Sequence, residues 1–200
     1  MSYSDFTIER LKESFAIEIV EDQGLFDTPP TSAVPELLQT VLRRYLPLAI
    51  TISTEKARSE FIIAPILADL KLRFAEVLSL FSGIEFNVDS SVGLNGRCDY
   101  VLSKSKEQLV LNAPVLVMVE AKNENITGGI PQCIAEMIAA QKFNQQKHNA
   151  IGTVYGVVTT GSLWRFLKLE ERLVYVDIVE YPIQQLEIIL GILEWITVQS

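Results

Sequence analysis

The chain has 200 residues, 48% of them hydrophobic and 21% charged, the ordinary balance of a globular protein that can fill a real core; the length suits one domain with a small appendage. No apolar run is long enough to span a bilayer, the longest (near 109–119 and 183–193) being strand-length or broken by polar residues, so no membrane partner is expected. The start, Met1-Ser2-Tyr3-Ser4-Asp5, lacks the basic and apolar regions of a secretory signal, and two cysteines, Cys98 and Cys133, make no disulfide framework. A reduced, cytoplasmic protein is the expectation. The net charge of −8 argues against a generic nucleic-acid coat, because phosphate binding is driven by Lys and Arg. The acid is concentrated at the ends: residues 1–53 carry −4, 54–168 carry +1 and 169–200 carry −5. In the near-neutral middle, a bound cation would offset acids that act as its ligands.

In chain order, residues 5–15 show weak helical periodicity through Phe6, Leu11 and Phe15, and Ala16–Glu21 alternates loosely as a strand. Asp27-Thr28-Pro29-Pro30 is a turn or extended linker. Pro35 opens a short helix, Glu36–Tyr45, closed by Pro47. Thr54 reads as an N-cap with Glu55 in the first turn, and a helix runs from there to about Phe81, kinked or restarted at Pro65 and ended by Gly83. Glu85–Val92 alternates as a half-buried strand, Asn95-Gly96 signals a hairpin, and Arg97–Leu102 follows as its partner. After a polar connection, Pro114–Lys122 is apolar on both faces, as a central strand is. Gly128-Gly129 breaks the chain and Pro131 opens a helix to about Lys147. Thr153–Thr159 is another buried strand, Leu163–Leu169 and Arg172–Val176 form a hairpin, and Ile183–Val198 closes as a helix. This order predicts an α/β protein with helices packed on a mixed sheet.

The chemistry concentrates at Asp99, Glu120 and Lys122. Asp99 lies on one strand and Glu120 on the next, with their sequence midpoint near Leu109–Val110, in the middle of the connection. If the two strands pair antiparallel, the carboxylates stand nearly opposite, about 5 Å apart at Cβ. Glu120 and Lys122 share one face of their strand and Ala121 takes the other. Two adjacent carboxylates repel unless a positive charge lies between them, and an oxygen-only donor set favours a hard cation, Mg²⁺ or Mn²⁺. Such an ion polarises a phosphoryl oxygen and acidifies its bound water, and Lys122 is suited to orient that water or to stabilise developing charge.

Asp99 in Gly96-Arg97-Cys98-Asp99-Tyr100, followed by Glu120-Ala121-Lys122 at the end of an apolar strand, resembles the PD-(D/E)xK motif of the restriction-endonuclease-like nucleases. Glu60, in Ser59-Glu60-Phe61, stands where such enzymes often place a helical glutamate. Gln132, in Ile130-Pro131-Gln132, matches the glutamine that many members carry at the start of the following helix. The tail Gly156-Val157-Val158-Thr159-Thr160-Gly161 with Ser162-Leu163-Trp164-Arg165-Phe166 is similar to the fourth strand and hairpin of uncharacterised bacterial members. The resemblance spans roughly 54–170. The family's leading proline is replaced by Cys98. The resemblance implies an αβββαβ restriction-endonuclease-like core flanked by helices, with residues 51–200 as the nuclease-like domain and 1–50 as an N-terminal extension packed on it. It also implies Mg²⁺- or Mn²⁺-dependent phosphodiester hydrolysis of DNA. Asp99 and Glu120, with the Ala121 carbonyl, would hold the metal; Lys122 would position the attacking water; Glu60 would support a second ion or a water ligand; Gln132 would orient Lys122 or contact the substrate backbone. A homodimer or a partner subunit is a further expectation.

Plainer readings stand beside these. Glu60 reads equally as a solvated helix residue, and Gln132 as a helix cap. Glu136, one turn beyond Gln132, reads as a solvated charge, Arg97 and Lys142 as exposed salt-bridge residues, and His148 as a surface residue at a helix end. Cys98 and Cys133 read as small buried residues and Trp164 as core. The alternative for the whole chain is a catalytically silent nuclease fold acting as a protein-interaction or regulatory module, which the acidic ends favour.

Overall fold

The structure, a computed structural model, describes residues 1–149 and 151–199. Among these, seven strands form one mixed sheet: β1 (Glu18–Val20), β2 (Ser79–Glu85), β3 (Arg97–Ser103), β4 (Val115–Ala121), β5 (Thr153–Thr159), β6 (Leu163–Glu170) and β7 (Leu173–Pro182). Their spatial order is β1-β7-β6-β5-β4-β3-β2. The β1–β7 and β4–β5 pairs are parallel and the others antiparallel. The helices are α1 (Ile8–Phe15), α2 (Glu36–Ile52), α3 (Glu55–Arg58), α4 (Ala64–Arg73), α5 (Ile126–Gln146) and α6 (Leu186–Gln199). The fold is therefore α/β, a seven-stranded mixed sheet flanked by helices. No described helix is long and apolar enough to cross a membrane.

All seven residues of β4 are buried, as an apolar run covered on both faces requires. Leu116, Val119 and Ala121 join one core with Ile62, Ile66 and Leu70 before and within α4 and Ile189, Leu193 and Ile196 of α6. Val115 and Met118 join the other with Leu11 of α1 and Cys133, Ile134 and Met137 of α5. The sheet is thus the middle of three layers, and the side of the strand to which a residue points decides which helices it meets. Residues before 51 enter all three layers: β1 is an edge strand, α1 lies on the α5 face and α2 on the other.

Four boundaries differ from the sequence expectations, each for a local reason. Pro47 does not close α2, which continues to Ile52 and ends on Ser53 in the left-handed conformation. Pro47 is exposed, so water can serve the carbonyl it cannot reach, while Leu42 and Ala49 on either side stay anchored in the core. Pro65 does stand at a restart: α3 passes through a π-turn at Ser59–Ile63, and α4 begins at Ala64 with Pro65 in its first turn. That run stops at Arg73 and not near Phe81, and the apolar stretch Leu78–Phe81, too short for periodicity to separate helix from strand, begins β2. Gly83 is consequently inside β2, and Glu85–Val92 is not a strand; its residues after Glu85 belong to a long connection containing a turn at Ser90–Val92 and the isolated bridge Asp89↔Leu94, so Asn95-Gly96 is not a two-residue hairpin. Finally, α5 starts at Ile126 on an Asn125 cap, with Gly128 and Gly129 inside its first turn and Pro131 in its second.

Two side chains substitute for missing strand partners. Gln108, beyond β3, brackets the Leu80 peptide of edge strand β2, accepting from its N–H at 3.2 Å and donating to its carbonyl at 2.5 Å. Asn144, fully buried on α5, treats Val115 at the start of β4 the same way: its Oδ1 accepts from the Val115 N–H at 2.7 Å and its Nδ2 donates to the Val115 carbonyl at 2.9 Å. Replacing Asn144 with leucine leaves two buried backbone groups unpartnered, each costing roughly 1–3 kcal/mol. Thermal unfolding of Asn144→Leu should show a midpoint lowered by about 5–15 °C for a chain of this size.

Candidate active site

The β3–β4 ladder runs through Tyr100↔Val119, and one further step would set Asp99 opposite Glu120. The Asp99 carboxylate instead enters the ladder itself, its Oδ2 accepting from the Ala121 N–H at 2.8 Å. On the other edge of β4 the Lys122 N–H donates to the Thr159 carbonyl at 2.8 Å, which continues the parallel pairing with β5 one residue past the strand. Asp99 and the Glu120–Lys122 segment are thereby tied to neighbouring strands by backbone bonds, and only the ends of the side chains are left to adjust.

Glu120 is 2% exposed and lies on the α5 side of β4, opposite to Ala121. Its Oε1 accepts from the Lys122 ammonium, which also donates to Gln132 Oε1 at 3.3 Å. Gln132 Nε2 in turn donates to Glu136 Oε1 at 3.2 Å. The stem of Lys122 packs across Gly129: a Cβ there would fall 3.0 Å from the lysine Cγ and Cε and 2.7 Å from Val158 Cγ1. The double glycine that reads as a helix break in sequence is, at its second residue, the clearance for this lysine.

On the opposite side, Asp99 and Ala121 border an open cleft of about 290 Å³ with Glu55, Lys56, Ser59, Glu60, Ser82, Gly83, Arg97 and Tyr100. Gly83 faces Asp99 across β2–β3 between the partner pairs Ser82↔Tyr100 and Ile84↔Cys98, at φ +62°. The Arg97 guanidinium lies over it, and a Cβ at that position would meet Nη2 at 2.7 Å. Tyr100 and Ser59 join sheet to helix through their hydroxyls, 2.6 Å apart.

The electrostatics follow from burial with too little positive charge. Burial, and next the Asp99 carboxylate, push the Glu120 carboxyl up from 4.5 to about 7, although Lys122 opposes both. Burial also raises Asp99, against the pull of the Ala121 N–H, Lys122 and Arg97. Burial works against the Lys122 ammonium, yet Glu120 beside it more than offsets this and its pKa is raised. Glu136 is wholly buried and its carboxyl is driven well above the ordinary range, by burial and then by Glu120. One oxygen each of Glu120 and Glu136, Oε2 in both, is buried without a hydrogen-bond partner among the described residues.

The residues singled out in the sequence fall into two groups. Glu120, Lys122 and Gln132 form one hydrogen-bonded chain on the α5 side; Asp99, Ala121 and Glu60 border the cleft; the Asp99–Ala121 bond joins the groups. Glu60 is joined to neither carboxylate: its Oε1 is paired with Lys56 at 2.6 Å and it is exposed. Glu55, placed one turn earlier and read in sequence only as a first-turn acid, is the helical glutamate whose charge reaches Glu120 and Lys122. Glu136 is a correction: it is not a solvated charge but the most buried acid of the site. Its i+4 spacing from Gln132 and its apolar neighbours Ile134, Ala135, Met137 and Ile138 were the available signal. Lys142 pairs with Asp89, His148 is exposed, Trp164 and both cysteines are buried.

Among the described residues no three His, Cys, Asp or Glu side chains are gathered closely enough to hold a metal ion by themselves. The donors that fit one are the carboxylates of Asp99 and Glu120, with Glu120 Oε2, unpartnered among the described residues, an oxygen that a hard cation would satisfy. The chain matches no protein-family model and no curated protein.

An acid whose pKa is raised on folding stabilises the folded state below its unfolded value and loses that contribution as pH rises through the folded value. In a chelator, the protein should therefore lose stability between about pH 4.5 and pH 7 through Glu120, by on the order of 3 kcal/mol. Urea titrations across this range should show the slope, and Glu120→Gln should flatten it.

Proposed function

We propose that the protein is a metal-dependent phosphodiesterase acting on DNA, with a restriction-endonuclease-like core. The observation that carries the reading is the buried Glu120 carboxylate, acted on by the Asp99 charge, paired to Lys122 and, among the described residues, left with one unpartnered oxygen. A structural core gains nothing from two neighbouring buried acids. Asp99, Glu120 and the Ala121 carbonyl are the donors we assign to Mg²⁺ or Mn²⁺. When bound, such an ion supplies Lewis acidity toward a phosphoryl oxygen and a more acidic water.

The chain's own residues do the rest. Asp99, fixed by the Ala121 N–H, and Glu120, fixed by Lys122, hold their carboxylates in place before substrate arrives, so little reorganisation is needed at reaction. Lys122, held as an ammonium by Glu120 and Gln132, is placed to orient the attacking water and to stabilise charge as the new P–O bond forms and the ester P–O bond breaks. Arg97 and Lys56 on the cleft are the cations that a phosphate backbone would meet. The proposed setting is cytoplasmic, with a homodimer or partner subunit as the proposed source of extra DNA affinity.

A second reading, a silent nuclease fold serving as an interaction module, is favoured by the overall charge of −8 and by the acids Glu55 and Glu60 on the cleft, which repel a polyanion. Plasmid cleavage with Mg²⁺ or Mn²⁺ separates the two. The enzyme reading expects nicking or cutting that falls at least about 100-fold in Lys122→Ala and in Asp99→Asn. Absence of cleavage, together with no Mn²⁺ binding by calorimetry that Glu120→Gln abolishes, would establish the module.

A further inference from the structure

Glu136 has no part in the reaction outlined above, and its surroundings are unfavourable to it. It is fully buried on α5, its Oε2 has no partner among the described residues, and its neighbours in the same core are Cys133, Ile134, Met137 and Ala140. A buried carboxyl half deprived of hydrogen bonds destabilises the fold relative to an apolar side chain of the same size. Burial, and next the Glu120 carboxylate, raise its pKa well above the ordinary carboxyl range.

Its Oε1 accepts from Gln132 Nε2, and that bond favours one of the two orientations of the Gln132 amide. A glutamine amide presents an oxygen and an NH₂ group of nearly equal shape, so packing alone does not choose between its two orientations. Lys122 has only donors, and a flipped amide would turn NH₂ toward the ammonium. Glu136 Oε1, 3.2 Å from Gln132 Nε2, accepts the NH₂ group and leaves Gln132 Oε1 facing Lys122 Nζ at 3.3 Å.

We propose that Glu136 is a positioning residue, whose carboxyl oxygen locks the Gln132 amide in the orientation that holds the Lys122 ammonium beside Glu120. The effect on turnover rests on the nuclease reading; the effect on the Gln132 amide does not.

The test uses the full chain with two substitutions. Glu136→Gln keeps an acceptor oxygen of the same shape, and Glu136→Met fills the volume without one. Three quantities are read: kcat and KM for plasmid cleavage with Mn²⁺, the thermal midpoint, and the Gln132 side-chain NH₂ resonances, assigned by their loss in Gln132→Leu. The expected result for Glu136→Met is a kcat lowered about 10–100-fold with KM within about twofold, a midpoint unchanged or raised, and NH₂ resonances shifted and exchanging faster with water. Glu136→Gln should keep kcat within about threefold and keep the resonances protected. A lowered midpoint in Glu136→Met, with kcat not rescued by Glu136→Gln, would show a merely structural residue and overturn the proposal. Unchanged NH₂ resonances in Glu136→Met would overturn it too. If the wild-type protein does not cleave, the nuclease reading fails, and the resonances alone decide whether Glu136 orients Gln132.

Discussion

At the end of the β3–β4 ladder the backbone donor of Ala121 is satisfied by a carboxylate, that of Asp99, and not by a carbonyl of the facing strand. Everything at the site is arranged around that substitution. A ladder bond is made between groups fixed by the backbone, so a side chain that takes its place inherits similar precision. Asp99 is thereby brought beside β4 just where Glu120 turns toward α5, and two acids come together at the tip of a strand buried along its whole length.

The remaining features reduce the cost of that meeting without abolishing it. Lys122 supplies one positive charge, and Gly129 gives its stem room to reach back to Glu120. Arg97, laid over Gly83, eases the ionisation of Asp99 from the cleft side. Three buried or half-buried acids still face one ammonium, and two of their oxygens find no hydrogen-bond partner among the described residues. Such a cluster is a local loss in stability that Asn144 and the two apolar cores must cover, as stored strain at functional sites requires.

Much of this was legible in the residues, and the limits have physical causes. Val115–Val119 declared a central strand because an apolar run covered on both sides needs no alternation, and the two-residue period correctly placed Glu120 and Ala121 on opposite faces. Gly83 and Gly129 misled for the same reason. A glycine marks a place where a side chain is excluded, and the excluding atoms (the Arg97 guanidinium, the Lys122 stem) come from elsewhere in the chain. Pro47 announced a helix end that tertiary packing overrode. Glu136 was misjudged because charge alone suggests solvent, whereas its position among apolar α5 residues settles the matter only once the helix is docked on β4. The difference between Glu55 and Glu60 could not be read at all: one helical turn separates them, and the orientation of α3 on the sheet decides which one the site feels.

The bracket that Gln108 places around Leu80 bears on how copies of this chain can meet. β2 is the outermost strand beside the cleft, and an open outer strand offers its peptide groups to any extended chain that approaches. Here one link of that row is occupied by an amide from the same molecule. That link of the edge is closed to an incoming strand. A second copy adding a strand here would first have to displace Gln108, so edge-to-edge stacking carries a cost at this spot.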